Sequence, residues 1–212
     1  NRDGKKDTTL PTKEEVYQAL EGRLRQLAQE GTPVDTITFS GNGEPTMHPN
    51  FPDIIEFVLK LRDELYPSAK VSVLTNATRL GKEEVRAALM KIDNPILKID
   101  SPLKWMVDAI NIPNEAYSLE ETIGNIKLFN HNFILQTMFL KGEEGGVQID
   151  CTAAEHVEKW RELVRELAPR EIMMYTIDRE TPAKNLQKVT VEEMEEIARP
   201  LKEEGFNVQI RG

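Results

Sequence analysis

The sequence predicts one α/β domain over residues 1–212, with parallel strands covered by helices in either an open doubly wound sheet or a barrel. Three observations carry this. Short apolar strands alternate with amphipathic helices along the whole chain. No shift in composition marks a second domain, and no residue-level repeat is present. Polar and glycine residues gather where strands finish, the edge of an α/β sheet at which ligands bind.

Residues 1–10 are polar and read as loop. Thr12–Gln29 reads as a helix, opened by a Thr12/Glu15 capping box and striped by Val16, Leu20, Leu24 and Leu27. Gly31–Pro33 ends it, and a strand follows over 34–39. After a glycine turn comes a helix over Phe51–Leu65, with Ile54, Ile55, Val58, Leu59 and Leu61 on its buried side. A strand at Lys70–Leu74 closes on Thr75-Asn76-Ala77. Lys82–Met90 is helical, Pro95–Asp100 is a strand, and 101–117 is irregular or partly helical. Leu119–Phe129 is a helix capped by Ser118 and Glu121, and Phe133–Leu140 is a strand. A helix at Ala153–Leu167 is expected to be capped near Thr152. Glu171–Asp178 is a strand, 179–189 a loop, Val191–Glu204 a helix with a Thr190/Glu193 capping box, and Asn207–Ile210 a closing strand. The chain opens on a helix rather than a strand, so its first βα unit is expected to lack its strand.

Composition sets bounds on function. With 39% hydrophobic and 30% charged residues the chain is of the water-soluble globular kind. No apolar run approaches the ~20 residues that span a bilayer, so no membrane partner is expected. A net charge of −9 argues against a broad phosphate-binding face. The single cysteine, Cys151, excludes an internal disulfide and fits a reducing, cytoplasmic setting.

Thr36–Pro49 (TITFSGNGEPTMHP) concentrates the chemistry. Gly41 and Gly43 let a ligand approach the backbone, Glu44 offers an acceptor for a cationic group, and Pro45 stiffens the exit. A plain βα turn is the bland reading of the same residues. Other polar groups sit at strand ends: Thr75 and Asn76, Lys98 and Asp100, Gln136 and Thr137, Tyr175 and Asp178. Lys98 and Asp100 share a face by alternation, as a site or as a simple internal ion pair. Gln136 lies in an otherwise apolar strand and needs a partner. His48 has no His or Cys at ligand spacing and reads as a satisfied loop residue. His131 and His156 read as exposed, Cys151 as an incidental residue of a polar loop, and Met138, Met173 and Met174 as strand packing.

Taken together, FSGNGEPTMHPNFPDII, VLTNATRL, LKID, FILQTMFLKG and MMYTIDRETPAKNLQKVTVEEMEEIA resemble the radical S-adenosylmethionine (radical SAM) superfamily, in its Fe–S oxidoreductase branch related to wyosine-synthesis enzymes. The resemblance covers nearly the whole chain. It implies a partial (β/α)6 TIM-like barrel, lacking the first strand and cluster loop, with S-adenosylmethionine across its top. It suggests Gly41, Asn42, Gly43, Glu44 and Pro45 around the methionine amino group, Thr75 and Asn76 near the ribose or carboxylate, and Asp100 and Gln136 further round the mouth. It also implies a [4Fe–4S] cluster, an electron donor such as flavodoxin or ferredoxin, and a substrate that is a peptide, a small molecule or tRNA. The chain departs from the family in one respect. The motif C-x3-C-x2-C, whose thiolates hold the cluster that reduces S-adenosylmethionine to a 5′-deoxyadenosyl radical, is absent. Its ligands are expected upstream of Asn1, and the chain alone is expected to be inactive. The competing reading is a non-catalytic barrel that binds S-adenosylmethionine or a nucleotide; an unrelated phosphate-binding enzyme ranks last.

Overall fold

The computed structural model describes residues 10–40, 43–113, 116–177 and 185–212. In chain order its elements are α1 (Lys13–Gln29), β1 (Thr36–Phe39), α2 (Phe51–Leu65), β2 (Lys70–Thr75), α3 (Glu83–Lys91), β3 (Asn94–Lys98), α4 (Lys104–Asn111), α5 (Leu119–Lys127), β4 (Ile134–Met138), β5 (Leu140–Glu144), β6 (Val147–Asp150), α6 (Ala154–Leu167), β7 (Glu171–Tyr175), β8 (Leu186–Lys188), α7 (Val191–Glu203) and β9 (Val208–Arg211). The chain forms two compact units. One holds the residues up to Thr75 together with Arg79–Ile96; the other holds Asn76–Thr78 and Leu97–Gly212. β3 begins in the first and ends in the second.

In the first unit the strands lie in the order β1-β2-β3, and β1 pairs with β2 in parallel, Ile37 opposite Val71. Val71, Ser72 and Val73 are all buried, as a strand covered on both faces requires, whereas β1 leaves Thr36 and Thr38 exposed. α2 buries Phe51, Ile54, Ile55, Val58 and Leu61. Removing each such side chain from water contributes about 1.5–3 kcal/mol. α1 starts at the expected capping box and lays Tyr17 flat on Phe57, ring centroids 4.0 Å apart. At the opposite end of β2 from the glycine turn, Asp93 accepts the Val71 N–H and pairs with Arg62 and Lys70. Burial alone would raise the Asp93 carboxyl. The N–H and the two cations outweigh it and hold the group below the usual carboxylate range.

In the second unit the order is β3-β4-β7-β9. β4 and β7 are parallel, as are β7 and β9, with Gln136 opposite Met173 and Met138 opposite Tyr175. The period of two divides the strands cleanly. Leu135, Thr137, Ile172 and Met174 are fully buried, while Gln136, Met138, Met173 and Tyr175 are half-buried on the other face. α6 presses Trp160 against the buried face. Its indole N–H donates to the Thr137 hydroxyl at 3.1 Å, that hydroxyl donates to the Ile99 carbonyl, and the ring meets Phe139 edge-on at 5.1 Å.

The six strands expected from the alternation are therefore present and parallel where their pairing is described. Three further strands are not foreseen. The expected strand Phe133–Leu140 breaks at Phe139, and β5 and β6 form a hairpin, with β8 on the other side of β5. Glu144 faces Val147 across a two-residue turn in which Gly145 and Gly146 both take positive φ (57° and 81°), the geometry that matches the twist of a hairpin. β8 falls in the expected loop 179–189, and Asp178 lies outside the described residues. α6 also departs from expectation at its start. Its N-cap is Ala153 without a side-chain bond, because Thr152 folds back on Asp150 instead. Among the described residues no helix is long and apolar enough to cross a membrane.

Candidate functional site

The glycine turn after β1 builds its site around Glu44. This residue caps a single 3-10 turn, Pro45–Met47, with proline in the first helical position, where its missing N–H costs nothing. One carboxylate oxygen of Glu44 accepts three bonds: the Thr46 N–H at 3.1 Å, the Thr46 hydroxyl at 2.5 Å and the Thr75 hydroxyl at 2.6 Å. Thr46 and Thr75 are 2% and 3% exposed, so the carboxylate is clamped from its buried side. The bond from Thr75 joins the turn after β1 to the tip of β2, so two of the expected site residues meet. Space around Gly43 is open, with no atom within 4 Å of where a Cβ would stand. Gly41 and Asn42 lie outside the described residues. A cavity of about 430 Å³ adjoins the turn, bounded by Phe39, Glu44, Met47, His48 and Phe51.

His48 is occupied structurally. The Asn50 N–H donates to its Nδ1 at 3.1 Å, so the proton sits on Nε2, which donates to the Pro11 carbonyl at 2.8 Å. That matches its reading as a satisfied loop residue. Asn76 closes a turn of its own: its side-chain oxygen accepts the N–H and hydroxyl of Thr78, across an Ala77 at φ 62°.

The second unit carries the other expected residues on the half-buried face. The Ile99 N–H donates to the Gln136 carbonyl, which sets Lys98 beside Gln136. Asp100 follows the end of β3, its side chain 1% exposed. It accepts Lys98 Nζ at 2.6 Å and Asn111 Nδ2 at 2.7 Å on one oxygen, and the Met138 N–H at 3.1 Å on the other. Lys98 also bonds Tyr175. Burial opposes its charge, but Asp100 and Tyr175 outweigh that and push the ammonium pKa well above the ordinary lysine value. The Tyr175 phenol is pushed up to about 12, first by burial and then by the charge of Asp100.

One residue was misjudged from sequence. His156 is buried, not exposed: its Nδ1–H donates to the Cys151 carbonyl at 2.9 Å, its ring meets Phe139 edge-on, and its Nε2 has no partner. Burial holds its imidazole below the usual value. Cys151 is likewise fully buried, 3.9 Å from the Met106 sulfur, and burial pushes its thiol up to about 12. Two contributors to the site were missed, Thr46 and Asn111. The first was legible, since Glu-Pro-Thr is an N-cap, a helix-starting proline and a donor. The second was not, because only the folding of α4 brings a residue eleven positions away onto Asp100.

No family model matches the chain. UPF0026 protein slr1464 from Synechocystis sp. is 32% identical over 170 residues, covering 78% of this chain and 58% of that protein. The chain spans about half the length of the curated relatives it matches. Among solved structures it resembles a radical SAM methyltransferase from Sphaerobacter thermophilus, with TM-score 0.69, 16% identity, 96% of this chain and 58% of that one. It also resembles Streptococcus suis SuiB bound to S-adenosylmethionine, with TM-score 0.62, 16% identity, 92% of this chain and 43% of that one. The fold is thus a mixed α/β architecture with a mostly parallel sheet, resembling the TIM-barrel-like folds of these radical SAM proteins.

Proposed function

We propose that the chain is the S-adenosylmethionine-binding core of a radical SAM enzyme, in the Fe–S oxidoreductase branch related to wyosine synthesis. The observation that carries this is the 2.6 Å bond from Thr75 to Glu44, which ties the turn at Gly43-Glu44-Pro45 to the tip of β2. The chemistry of that pair suits an aminoacyl ligand. Its carboxylate is fixed in place by buried hydroxyls before anything binds, so an ammonium meets a prearranged acceptor. Gly43 leaves room for the backbone to be approached. Asp100 and Gln136 belong to the face of the second unit. The folds of a radical SAM methyltransferase and of SuiB bound to S-adenosylmethionine support the same assignment.

When bound, S-adenosylmethionine supplies the radical precursor in enzymes of this class. An iron–sulfur cluster does not fit the described residues. No group of three His, Cys, Asp or Glu side chains among them could hold a metal, and Cys151 is a buried thiol, not a thiolate. That misfit favours a second reading in which this chain, taken alone, binds without catalysing. The substrate class is a peptide or small molecule ahead of tRNA, given the net charge of −9. Any reductant would be a flavodoxin or ferredoxin.

Calorimetric titration with S-adenosylmethionine tests the binding claim. Glu44→Gln should weaken it at least tenfold, and an absence of both heat and a melting shift in the unaltered chain would remove the proposal. Anaerobic iron–sulfur reconstitution of the full gene product, followed by visible absorption, separates the catalytic reading from the binding-only one.

A further inference from the structure

The half-buried face of the second unit holds a charge arrangement that the function proposed above does not use. Asp100 is the buried member: its side chain is 1% exposed, and it already accepts three donors. Lys98 is the accessible member, its side chain 24% exposed. An ammonium has three N–H donors. One goes to Asp100 at 2.6 Å and one to Tyr175, and among the described residues the third has no partner. The tether on both sides removes the rotamer freedom that normally weakens a lysine contact. Besides Asp100, the same face of β4 and β7 carries Gln136, Met138, Met173 and Tyr175, none of them anionic.

We propose that Lys98, and not Asp100, is the ligand-facing charge of this unit, and that it takes an oxyanion, a carboxylate or phosphate carried by the bound molecule. Asp100 is then a positioning residue. With Asn111 and the Met138 N–H it fixes the lysine stem so that the remaining N–H faces the open side of β4 and β7. The oxyanion has two possible sources, the methionyl carboxylate of S-adenosylmethionine or an acidic group of the substrate. Only the first rests on the function proposed above.

Met138 and Met173 provide the readout, since they lie on the same face of the sheet as Lys98. The chain carrying 13C-methyl methionine is titrated with sodium acetate and with sodium phosphate, against sodium chloride at equal ionic strength. It is also titrated with S-adenosylmethionine and with its decarboxylated analogue. Saturable methyl shifts are expected from at least one oxyanion probe and not from chloride, weakened at least tenfold in K98M. If the K98M penalty appears for S-adenosylmethionine and vanishes for the decarboxylated analogue, the cofactor is the source; if it is confined to acetate or phosphate, the substrate is. D100N keeps a side-chain oxygen that holds the lysine stem while removing the competing charge, so it should hold or tighten oxyanion binding, whereas a directly ligand-binding Asp100 would lose it. The double variant K98M/D100N covers the case in which K98M alone fails to fold, because it leaves no buried charge unpaired, and it too should bind oxyanions at least tenfold more weakly. No saturable shift from any probe, binding within twofold in both lysine variants, or loss of oxyanion binding in D100N overturns the inference. A failure confined to S-adenosylmethionine leaves it standing and removes the cofactor arm.

Discussion

His156 is the residue whose titration acts on stability. It is buried and neutral, with a proton on Nδ1 held by the Cys151 carbonyl and a bare Nε2. The charged groups bearing on it reduce to Asp150, whose pull is weaker than the desolvation. A native imidazole held below its ordinary value near 6.5 binds fewer protons than the unfolded one as pH falls. Its contribution is therefore complete above that value and is lost below it, with a slope of at most about 1.4 kcal/mol per pH unit. Chemical denaturation between pH 7.5 and 5 should show this slope, and His156→Gln should flatten it; an unchanged slope would assign the acid sensitivity elsewhere. This burial was not legible from the residues alone. HVEKW places a histidine one turn before Trp160, and helical spacing alone does not say which of two adjacent faces is covered. The Lys98–Asp100 pair was different. Alternation put both on one face, and the 2.6 Å contact follows from it.

Among the elements, the β5–β6 hairpin depends on backbone that side chains resist. Gly142 has φ 127°, and a Cβ there would stand 2.1 Å from the Asn185 carbonyl oxygen, in the strand pairing with β8. Gly142→Ala should cost about 3 kcal/mol, combining strain with a backbone clash. Gly31→Ala is the control: φ is 66° but nothing lies within 4 Å, so about 1 kcal/mol of strain is expected. Urea midpoints give both values, and equal costs would mean that the β5–β8 contact contributes nothing. Helices with capping boxes, α1 and α7, were legible to within a residue because their start signals are local. The hairpin was not. KGEEGGVQID is charged and glycine-rich, and its strands are recognisable only through the Gly145-Gly146 turn between them and the partner that β8 provides. The Thr152 cap failed for a related reason, since Asp150 competes for the same hydroxyl.

At the scale of the whole molecule, the alternation of strands and helices was enough to name the class, because parallel strands need crossover helices and leave few other arrangements. It could not say which strand tips meet, as those of β1 and β2 do through Glu44 and Thr75. The net charge makes its own prediction. At −9 the chain should bind an anion exchanger at pH 7 and pass through heparin at 0.1 M salt, and retention on heparin would mark a local basic face and reopen tRNA as a substrate. Cys151 carries a last consequence. The sole sulfhydryl is sealed inside the second unit and stays protonated at neutral pH, so alkylating reagents can reach it only when that unit opens. The rate at which iodoacetamide consumes it is then an internal clock of opening, readable by mass spectrometry without any label, and a ligand that fastens the second unit would make the clock run slow.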